Sequence, residues 1–510
     1  MSSLLLSVSD PFIFFVVVLF VLAISDLVVG VSNDAVNFLN SALGSKVASR
    51  KVVMLVASAG IIAGALFSGG MMEVARKGIF SPELFTFANV MVVFAAVMIT
   101  DIILLDLFNT LAMPTSTTVS IVFELLGAAI AVAVLAIHHQ GGSLADAGAY
   151  INSSRALIII GGIFISVVVA FAVGAAAQYI SRLIFTFHFE RRMRIFGGIW
   201  AGVAITALSY FLLIKGLKGA SFVPAGFVAW VGEHTVSVLA ILLAASTAVM
   251  QVCLFLGRNI LRFVVLLGTF ALAMAFASND LVNFVGVPMA GLESYSSWSN
   301  SGVAASELMM TSLHEPVRTS SLYLLVAGAI MAATLWLSSK ARSVTETEIN
   351  LSRQGAGVER FSPNILSRTI VRTARDIGSV LARILGRRWR ARIDSSFVPR
   401  GFEGPVGAAP AFDTVRASVN LTIASALIAL ATSLKLPLST TYVSFMVAMG
   451  SSLADRAWDR DTAVFRVAGV LNIIGGWFLT AAIALSASAV FATIIYFAGI
   501  YGVIGLLCLA

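Results

Sequence analysis

Long, almost uninterrupted apolar runs limit this chain to a narrow set of folds. Leu322 to Leu337 with its flanks and Ala156 to Ile180 approach or exceed the roughly 20 residues that cross a bilayer as a helix. Only 11% of the 510 residues are charged, whereas a soluble domain carries roughly 25%. A membrane barrel would instead alternate polar and apolar residues in segments of about 10, a pattern that is not seen here. The sequence therefore predicts an all-α polytopic membrane protein.

The helical spans are predicted from these apolar segments, and their orientation follows from the loop charges. Because cytoplasmic loops carry an excess of Lys and Arg, the basic loops 182–194 and 339–413 are expected inside, in the inner (plasma) membrane of the cell. Counting spans from these loops puts the N-terminus and the loops 137–155, 215–223 and 291–320 outside. The predicted spans are 11–31, 52–70, 84–110, 119–136, 156–181, 196–214, 224–256, 263–278, 321–338, 415–436, 440–454, 463–482 and 485–508.

Two polar patterns each occur twice in this apolar chain. Ser32-Asn33-Asp34 returns as Ser278-Asn279-Asp280, and Pro114-Thr115-Ser116-Thr117-Thr118 returns as Pro437-Leu438-Ser439-Thr440-Thr441. Polar groups in a bilayer are expensive, so we interpret them as a site. The loop orientation requires the segments 84–136 and 415–454 to be re-entrant hairpins that enter from opposite sides. The fold is therefore predicted to contain two inverted-topology repeats with broken helices.

This interpretation divides the chain into six regions. They are a first inverted repeat (1–155), connecting transmembrane helices (156–256), the first part of the second repeat (257–338), a cytoplasmic basic insertion (339–413), the hairpin of the second repeat (414–456) and C-terminal transmembrane helices (457–510). Within the insertion, residues 365–393 show apolar residues at helical spacing interleaved with Arg. An amphipathic helix on the anionic lipids of the inner leaflet is predicted there, and a docking or regulatory surface is the alternative.

The Asn-Asp patterns predict binding of a monovalent cation. A helix that unwinds near Ser32 and Ser278 would leave free carbonyls beside amide and carboxylate oxygens, which a hard cation prefers. The alternative is polar contact between packed helices, which explains one copy better than two. Asp26 lies seven residues before Asn33, and a coupling role is predicted for it as well. For Asp101, Asp106 and Glu124 we expect interhelical ion pairs, for example with Arg416 or Lys46.

The Pro-x-Ser-Thr-Thr patterns predict binding of a tetrahedral anion. Proline is favoured at the start of a helix, where the following backbone N–H groups are unpaired and the helix dipole is positive. Such a terminus binds phosphate-like anions without a basic side chain. The alternative is a proline kink patched by Ser and Thr hydroxyls, which explains one motif better than two matched ones.

At these motifs the chain resembles the inorganic phosphate transporter family, the sodium- or proton-coupled type with two inverted repeats. The family's Gly-x-Asn-Asp-x-Ala-Asn signature is similar to Gly30–Asn37, which has one extra residue after the glycine and Val36 in place of alanine. Its Leu-Pro-x-Ser-Thr-Thr signature is similar to Met113–Thr118 and to Leu436–Thr441. After the second threonine, where many members have His, this chain has Val119 and Tyr442.

The resemblance implies two sets of site residues. Phosphate would lie between the hairpin tips, bound by Ser116, Thr117, Thr118, Ser439, Thr440 and Thr441. Coupling cations would lie around Asn33, Asp34, Asn37, Asn279, Asp280 and Asn283.

The predicted function is import of inorganic phosphate by symport with a cation. Sodium is favoured over protons because Asn33 and Asn279 cannot titrate, while proton coupling and another oxyanion such as sulfate remain alternatives. An integral-membrane hydrolase needs a nucleophile with a base or spaced metal ligands, and no such motif is present. A nucleotide-binding loop is also missing, which argues against ATP drive. We predict no cofactor beyond the coupling cation and no nucleic acid partner; whether the chain forms a homodimer is left open.

Overall fold

The computed structural model of the protein describes residues 11–67, 79–211, 224–314, 321–354, 361–384, 387–398, 409–433, 438–456 and 463–509. The regular elements of these ranges are helices; the ranges contain no strand, only isolated bridges between Phe80 and Ile151 and between Thr86 and Met309. Ten of their helices are long and apolar enough to cross a membrane, which confirms the predicted class. The predicted loop 215–223, Leu436 and Pro437 lie outside the described residues, as do the ends of the spans predicted at 52–70, 196–214 and 415–436.

Seventeen helices longer than one turn, which we number in chain order, form the described structure. They are α1 Pro11–Asp34, α2 Val36–Gly44, α3 Arg50–Phe67, α4 Phe87–Thr110, α5 Thr117–His139, α6 Ser153–Phe185, α7 Glu190–Phe211, α8 Ala225–Glu233, α9 Thr235–Phe255, α10 Ile260–Ser299, α11 Ser321–Leu337, α12 Ser339–Leu351, α13 Ile365–Ile384, α14 Arg387–Ser396, α15 Thr414–Ser433, α16 Thr440–Ala454 and α17 Ala463–Leu509.

The packing of the helices pairs one half of the chain with the other. Helix α5, the second limb of the first hairpin, packs on α17, which follows the second hairpin. In the same way α16, the second limb of the second hairpin, packs on α6, which follows the first. The first limbs correspond too, because α4 packs on α1 and α15 packs on α10. The segments that carry the duplicated motifs thus have corresponding neighbours in the two halves of the chain.

Three predicted breaks in the helices are wrong. Helix α10 runs without interruption through Ser278, and α1 continues past Ser32 to Asp34. Ala35 alone separates α1 from α2, and it keeps right-handed helical angles (φ −54°, ψ −29°). Helix α17 likewise continues through 483–484, where two spans were predicted, and its non-helical residue is Gly499. An intact helix satisfies its own backbone groups, so none is left exposed to hydrocarbon.

The basic insertion begins inside the core rather than on the surface. Helix α12 bends away from α11 by 70° and packs against α1 and α2, with Val344, Glu348 and Leu351 buried. The residues predicted as one amphipathic helix form α13 and α14. Helix α13 lies against α17 and α14 against α6. The insertion is therefore anchored to helices of both halves.

A buried ion cluster closes the end of the molecule that we predict to face the cytoplasm. Arg182 on α6 contacts Asp413 and Asp455, each at 2.7 Å, and Gln178 donates to Asp455 at 2.8 Å. Arg416 also approaches Asp455, at 3.8 Å, and bonds the carbonyl of Ser352. Burial by itself raises the pKa of Asp413, but the guanidinium groups of Arg182 and Arg416 outweigh it and hold that pKa below its usual value. The cluster ties α6, α15 and α16 together.

We expect the loop 137–155 to be extracellular and the insertion 339–413 to be cytoplasmic. In a background with Cys253→Ser and Cys508→Ser, a cysteine placed at the exposed Ser143 should react with a membrane-impermeant maleimide added to intact cells. A cysteine at the exposed Ser362 should react only after the cells are permeabilised. The opposite labelling pattern would overturn the predicted orientation.

Candidate functional site

Asp34 is buried between the two hairpin tips, at the place that we call the centre, and binds both of them. It is fully buried, at 0% exposure. Its Oδ2 accepts a hydrogen bond from the Thr117 hydroxyl (3.1 Å) of the first tip, and its Oδ1 accepts one from the Thr441 hydroxyl (2.8 Å) of the second. A single carboxylate therefore connects two segments more than 300 residues apart in sequence.

Asp280 makes the corresponding contacts from the second half. Its Oδ1 accepts from the Thr118 hydroxyl at 3.3 Å, and its Oδ2 accepts from the Thr440 hydroxyl at 2.5 Å. It is also fully buried. In the duplicated motifs Asp34 corresponds to Asp280, Thr117 to Thr440 and Thr118 to Thr441. The bond Asp34–Thr117 therefore corresponds to Asp280–Thr440, and Asp34–Thr441 to Asp280–Thr118. The four acid–hydroxyl bonds thus form two matched pairs, each joining both tips.

The second asparagine of each Asn-Asp pattern repeats this correspondence. Asn37 Nδ2 donates to the Thr441 hydroxyl at 3.0 Å, and Asn283 Nδ2 donates to the Thr118 hydroxyl at 3.0 Å. Asn37 Oδ1 accepts a hydrogen bond from Ser444 (3.0 Å). In this arrangement the amide nitrogens face the hydroxyls, so an amide must rotate before its oxygen can meet a cation.

The first asparagines differ between the two halves. Asn33 holds the first tip: its Nδ2 donates to Asn109 (2.9 Å) and to the Met113 carbonyl (3.1 Å), and its Oδ1 accepts from the Thr115 N–H (2.8 Å). Asn279 instead donates to the neighbouring Asp280 carboxylate at 2.8 Å. The structure thus places both beside the site, with Asn33 in contact with the backbone of the tip rather than with the acids.

Ser116 and Ser439 are the N-caps of the two helices that begin at the tips. The Ser116 hydroxyl accepts from the Val119 N–H at 3.2 Å, and the Ser439 hydroxyl accepts from the Tyr442 N–H at 3.0 Å. A serine hydroxyl that accepts in this way keeps its own proton to donate. The sequence suggested that Pro114 would lie at the start of the helix. In the structure it lies two residues before the Ser116 cap. Two capped helix N-termini therefore meet next to Asp34 and Asp280, which gives the centre both positive dipole ends and carboxylates.

Helix α17 supports both tips, a role that the duplicated motifs do not indicate. Trp477 Nε1 donates to the Pro114 carbonyl at 3.2 Å, and the Trp477 ring stacks on Tyr442 of the second tip with ring centroids 3.8 Å apart. Thr480, one turn further on, bonds the Thr115 hydroxyl at 2.8 Å. The sequence offered a weak signal, since Trp477 and Thr480 lie three residues apart on one face of a largely apolar helix.

Of the remaining intramembrane acids, Asp106 forms the expected interhelical ion pair, with a base other than the two named as examples. Asp106 pairs with Lys340 at 2.6 Å. Arg416, one expected partner, pairs with Asp455. Asp26, Asp101 and Glu124 are fully buried and lie together, with Asp101 beside both of the others. The expected interhelical ion pairs are therefore wrong for Asp101 and Glu124, because the fold brings them together with a third acid instead of with a base.

Comparison with known proteins identifies relatives of the chain. The model of the phosphate transporter family matches residues 30–345. A protein of Thermococcus kodakarensis whose name describes it as a phosphate permease is 27% identical over 288 residues, which cover 53% of this chain and 65% of that protein. A solved structure titled as the sodium-dependent phosphate transporter has a TM-score of 0.63 at 16% identity, covering 95% of this chain and 99% of that one. This likeness shows a shared fold.

Replacing Trp477 by Phe should loosen the first tip. The change keeps an aromatic ring against Tyr442 but leaves the buried Pro114 carbonyl without its donor, which costs about 1–3 kcal/mol. We expect a lower thermal unfolding midpoint and faster hydrogen exchange at the amides of residues 115–120. The control is Trp336→Phe, because the Trp336 indole bonds Ser58 at an exposed position. Equal effects of the two substitutions would contradict the supporting role of Trp477.

Proposed function

The chain belongs to the phosphate transporter family, and from this premise we propose that it carries inorganic phosphate across the membrane by symport with a cation. The observation that carries the proposal is the set of four hydrogen bonds from Thr117, Thr118, Thr440 and Thr441 to Asp34 and Asp280. These bonds bring together, in one buried place, the hairpin tips that would bind the anion and the acids that would bind the cation. Such a place at the interface of repeats is where a secondary transporter binds its substrate.

Phosphate would bind between the two helix N-termini. The unpaired N–H groups of the first turns of α5 and α16 and the hydroxyls of Ser116, Thr117, Thr118, Ser439, Thr440 and Thr441 supply its donors. No Lys or Arg is needed, since a helix terminus binds such an anion through backbone N–H groups and the dipole. Sulfate has the same shape, so the family membership, more than the hydroxyls, favours phosphate.

The hydroxyl protons explain why a cation must accompany the anion. Each threonine hydroxyl has one proton, and in this structure four of these protons are donated to Asp34 and Asp280. A hydroxyl that turns its proton toward phosphate leaves the carboxylate without a donor and points a lone pair toward it. A cation bound between the carboxylate and that lone pair replaces the lost proton. Anion and cation therefore each prepare the site for the other, and their binding is reciprocally coupled.

Sodium is the cation that this ligand set favours. Carboxylate, hydroxyl and amide oxygens are hard ligands, and the amides of Asn33, Asn37, Asn279 and Asn283 cannot take up a proton. The related solved structure is described as sodium-dependent, which agrees with this choice. Proton-coupled symport is the alternative, in which Asp34 and Asp280 would be protonated instead. We further propose that the transporter lies in the plasma membrane and moves phosphate inward by alternating access between two inverted repeats.

The insertion gives the proposed cytoplasmic side a basic surface. Helix α13 exposes Ile365, Leu366 and Val380 and carries Arg368, Arg372 and Arg375. Apolar side chains beside several arginines suit a helix that lies in the headgroup region of an anionic leaflet. We propose that anionic lipids of the inner leaflet contact this helix.

Uptake of labelled phosphate into proteoliposomes tests the proposed function. A sodium gradient at equal pH should drive uptake, while a pH gradient without sodium should not. Asp34→Asn and Asp280→Asn should each weaken sodium dependence and phosphate binding together, because the cation bridges acid and anion. Asp106→Asn, which removes an acid outside the site, is the matched control. Tighter, sodium-independent phosphate binding in both site variants would mean that the acids merely repel the anion, and uptake of sulfate alone would reassign the substrate.

Thr441→Val should weaken phosphate binding with little change of shape. The substitution removes a hydroxyl that now bonds Asp34 and Asn37 and would turn to the anion. A hydrogen bond to a charged group is worth about 1.5–3 kcal/mol, so affinity should fall about 10- to 150-fold. The control is Thr100→Val, because the buried Thr100 hydroxyl bonds only its own helix, at the Ala96 carbonyl. Unchanged affinity in a folded Thr441→Val protein would place the anion elsewhere.

A further inference from the structure

Three acids from three different helices meet beside the proposed transport site. Asp26 is on α1, Asp101 on α4 and Glu124 on α5, and each has 0% exposure. The carboxyl group of Asp101 neighbours and interacts with those of both Asp26 and Glu124. We call these three side chains the acid cluster. The mechanism proposed above for Asp34 and Asp280 does not use it.

The oxygens of the acid cluster have almost no donors. Ser120 donates to Glu124 Oε1 at 2.6 Å. Both oxygens of Asp26, both of Asp101 and Oε2 of Glu124 are buried and have no hydrogen-bond partner in the described part of the chain. A buried polar group is normally hydrogen-bonded, so such orphaned oxygens require an explanation.

Charged groups on the surrounding helices offer no compensation. The charged groups that act on Asp26 are Asp101 and Asp34, and those that act on Glu124 are Asp101 and Asp26, so all are acids. The basic residues on the helices packed nearby are engaged or exposed. Lys340 on α12 pairs with Asp106, Arg466 on α17 bonds the carbonyl of Arg353, and Arg262 and Arg342 are exposed near helix ends.

The other acids on these helices have partners of their own, although Oε2 of Glu348 is buried without one. Asp34 and Asp280 accept hydrogen bonds from the threonines, and Glu348 on α12 accepts one from Asn40. Glu293 on α10 also has interactions of its own. The acid cluster is therefore distinct from its neighbours in having several buried carboxyl oxygens that no group of the described chain satisfies.

Three ionised carboxylates in contact cannot persist in a dry helix interface. Isolated buried charges are costly, and like charges at short distance raise that cost further. We propose that the acid cluster is a second cation-binding site, in which Asp26, Asp101 and Glu124 together hold one small monovalent cation, a proton or a sodium ion. The shared chemistry is a single positive charge on carboxyl oxygens.

A proton needs only two neighbouring carboxyl groups. Contacting carboxyl groups can share a proton along the line between their oxygens. Sodium would require the side chains to close around it, because no three acid, His or Cys side chains among the described residues stand at metal-binding distances. The predicted coupling role of Asp26 is thereby assigned to this cluster.

The acid cluster is electrostatically linked to the transport site. Asp34 acts on Asp26, and Asp101 acts on Asp34. A positive charge in the acid cluster reduces the negative potential at Asp34, so it should weaken sodium binding there. This consequence for sodium rests on the proposed function, whereas the existence of the second site does not.

The test removes the carboxylates of the proposed transport site, so that binding of a cation to the acid cluster can be observed separately. In the purified full chain with Asp34→Asn, Asp280→Asn and Glu348→Gln, which removes another buried acid that would respond to pH, the thermal unfolding midpoint is measured without phosphate in two series. One series lowers the pH in sodium-free choline buffer, and the other adds sodium at constant high pH. We expect the midpoint to rise in the pH series. Adding Asp26→Asn should raise the midpoint at high pH and abolish the response, while Asp106→Asn should leave the response intact.

Each outcome assigns the occupant or overturns the site. A response to pH with an infrared C=O band of a protonated carboxyl that Asp26→Asn removes identifies a proton, and a response to added sodium identifies sodium. Glu124→Gln repeats the test should Asp26→Asn fail to fold. A background protein that responds to neither series, or a response that survives both substitutions, overturns the second site. If the wild-type protein shows no phosphate uptake, the proposed function is wrong, but the second cation site is not affected by that result.

Discussion

The hydrogen bonds between two buried aspartates and four threonine hydroxyls hold the two halves of the molecule together at its centre. Each acid belongs to one half and binds a tip from both. Neither hairpin can therefore move without breaking a bond to an acid of the other half. Because the site is dry, a carboxylate that loses such a donor must gain another partner, which makes the position of the tips dependent on what the acids bind.

The described structure supports these central bonds from outside. Asn33 fixes the backbone of the first tip, and Trp477 and Thr480 on α17 hold the same tip from the other side. The second tip rests on Trp477 through Tyr442, at the position where the sequence departs from the family's usual His. At the far end of α16, Asp455 accepts bonds from Arg182 and Gln178 of α6. Both ends of α16 are thus attached to helices of other regions.

The sequence alone was enough to predict the helical membrane class and the residues that meet at the centre. Duplicated local patterns report which segments have equivalent roles, and Asp34, Asp280 and the threonines are indeed brought together. Side-chain partners were less predictable, since they depend on how distant helices pack. Asp101 and Glu124 were expected to find basic partners, yet the contact between α1, α4 and α5 places Asp26 beside them. The helix breaks at Ser32 and Ser278 were expected because oxygens were needed, but side chains supply those oxygens while the backbone stays paired.

The acid cluster also makes the two halves chemically unequal although their central contacts match. The residues that correspond to Asp101 and Glu124 in the second half are Ala424 and Val447, so Asp280 has no similar cluster near it. The charge of Asp101 acts on Asp34, and the negative potential at Asp34 changes whenever the acid cluster gains or loses a positive charge. Two cations, one at Asp34 and one at Asp280, would then be bound with different affinities although their ligands are equivalent. Because the acid cluster changes the cation affinity at Asp34 only, the two cations would bind and leave in a fixed order, which two identical sites cannot provide.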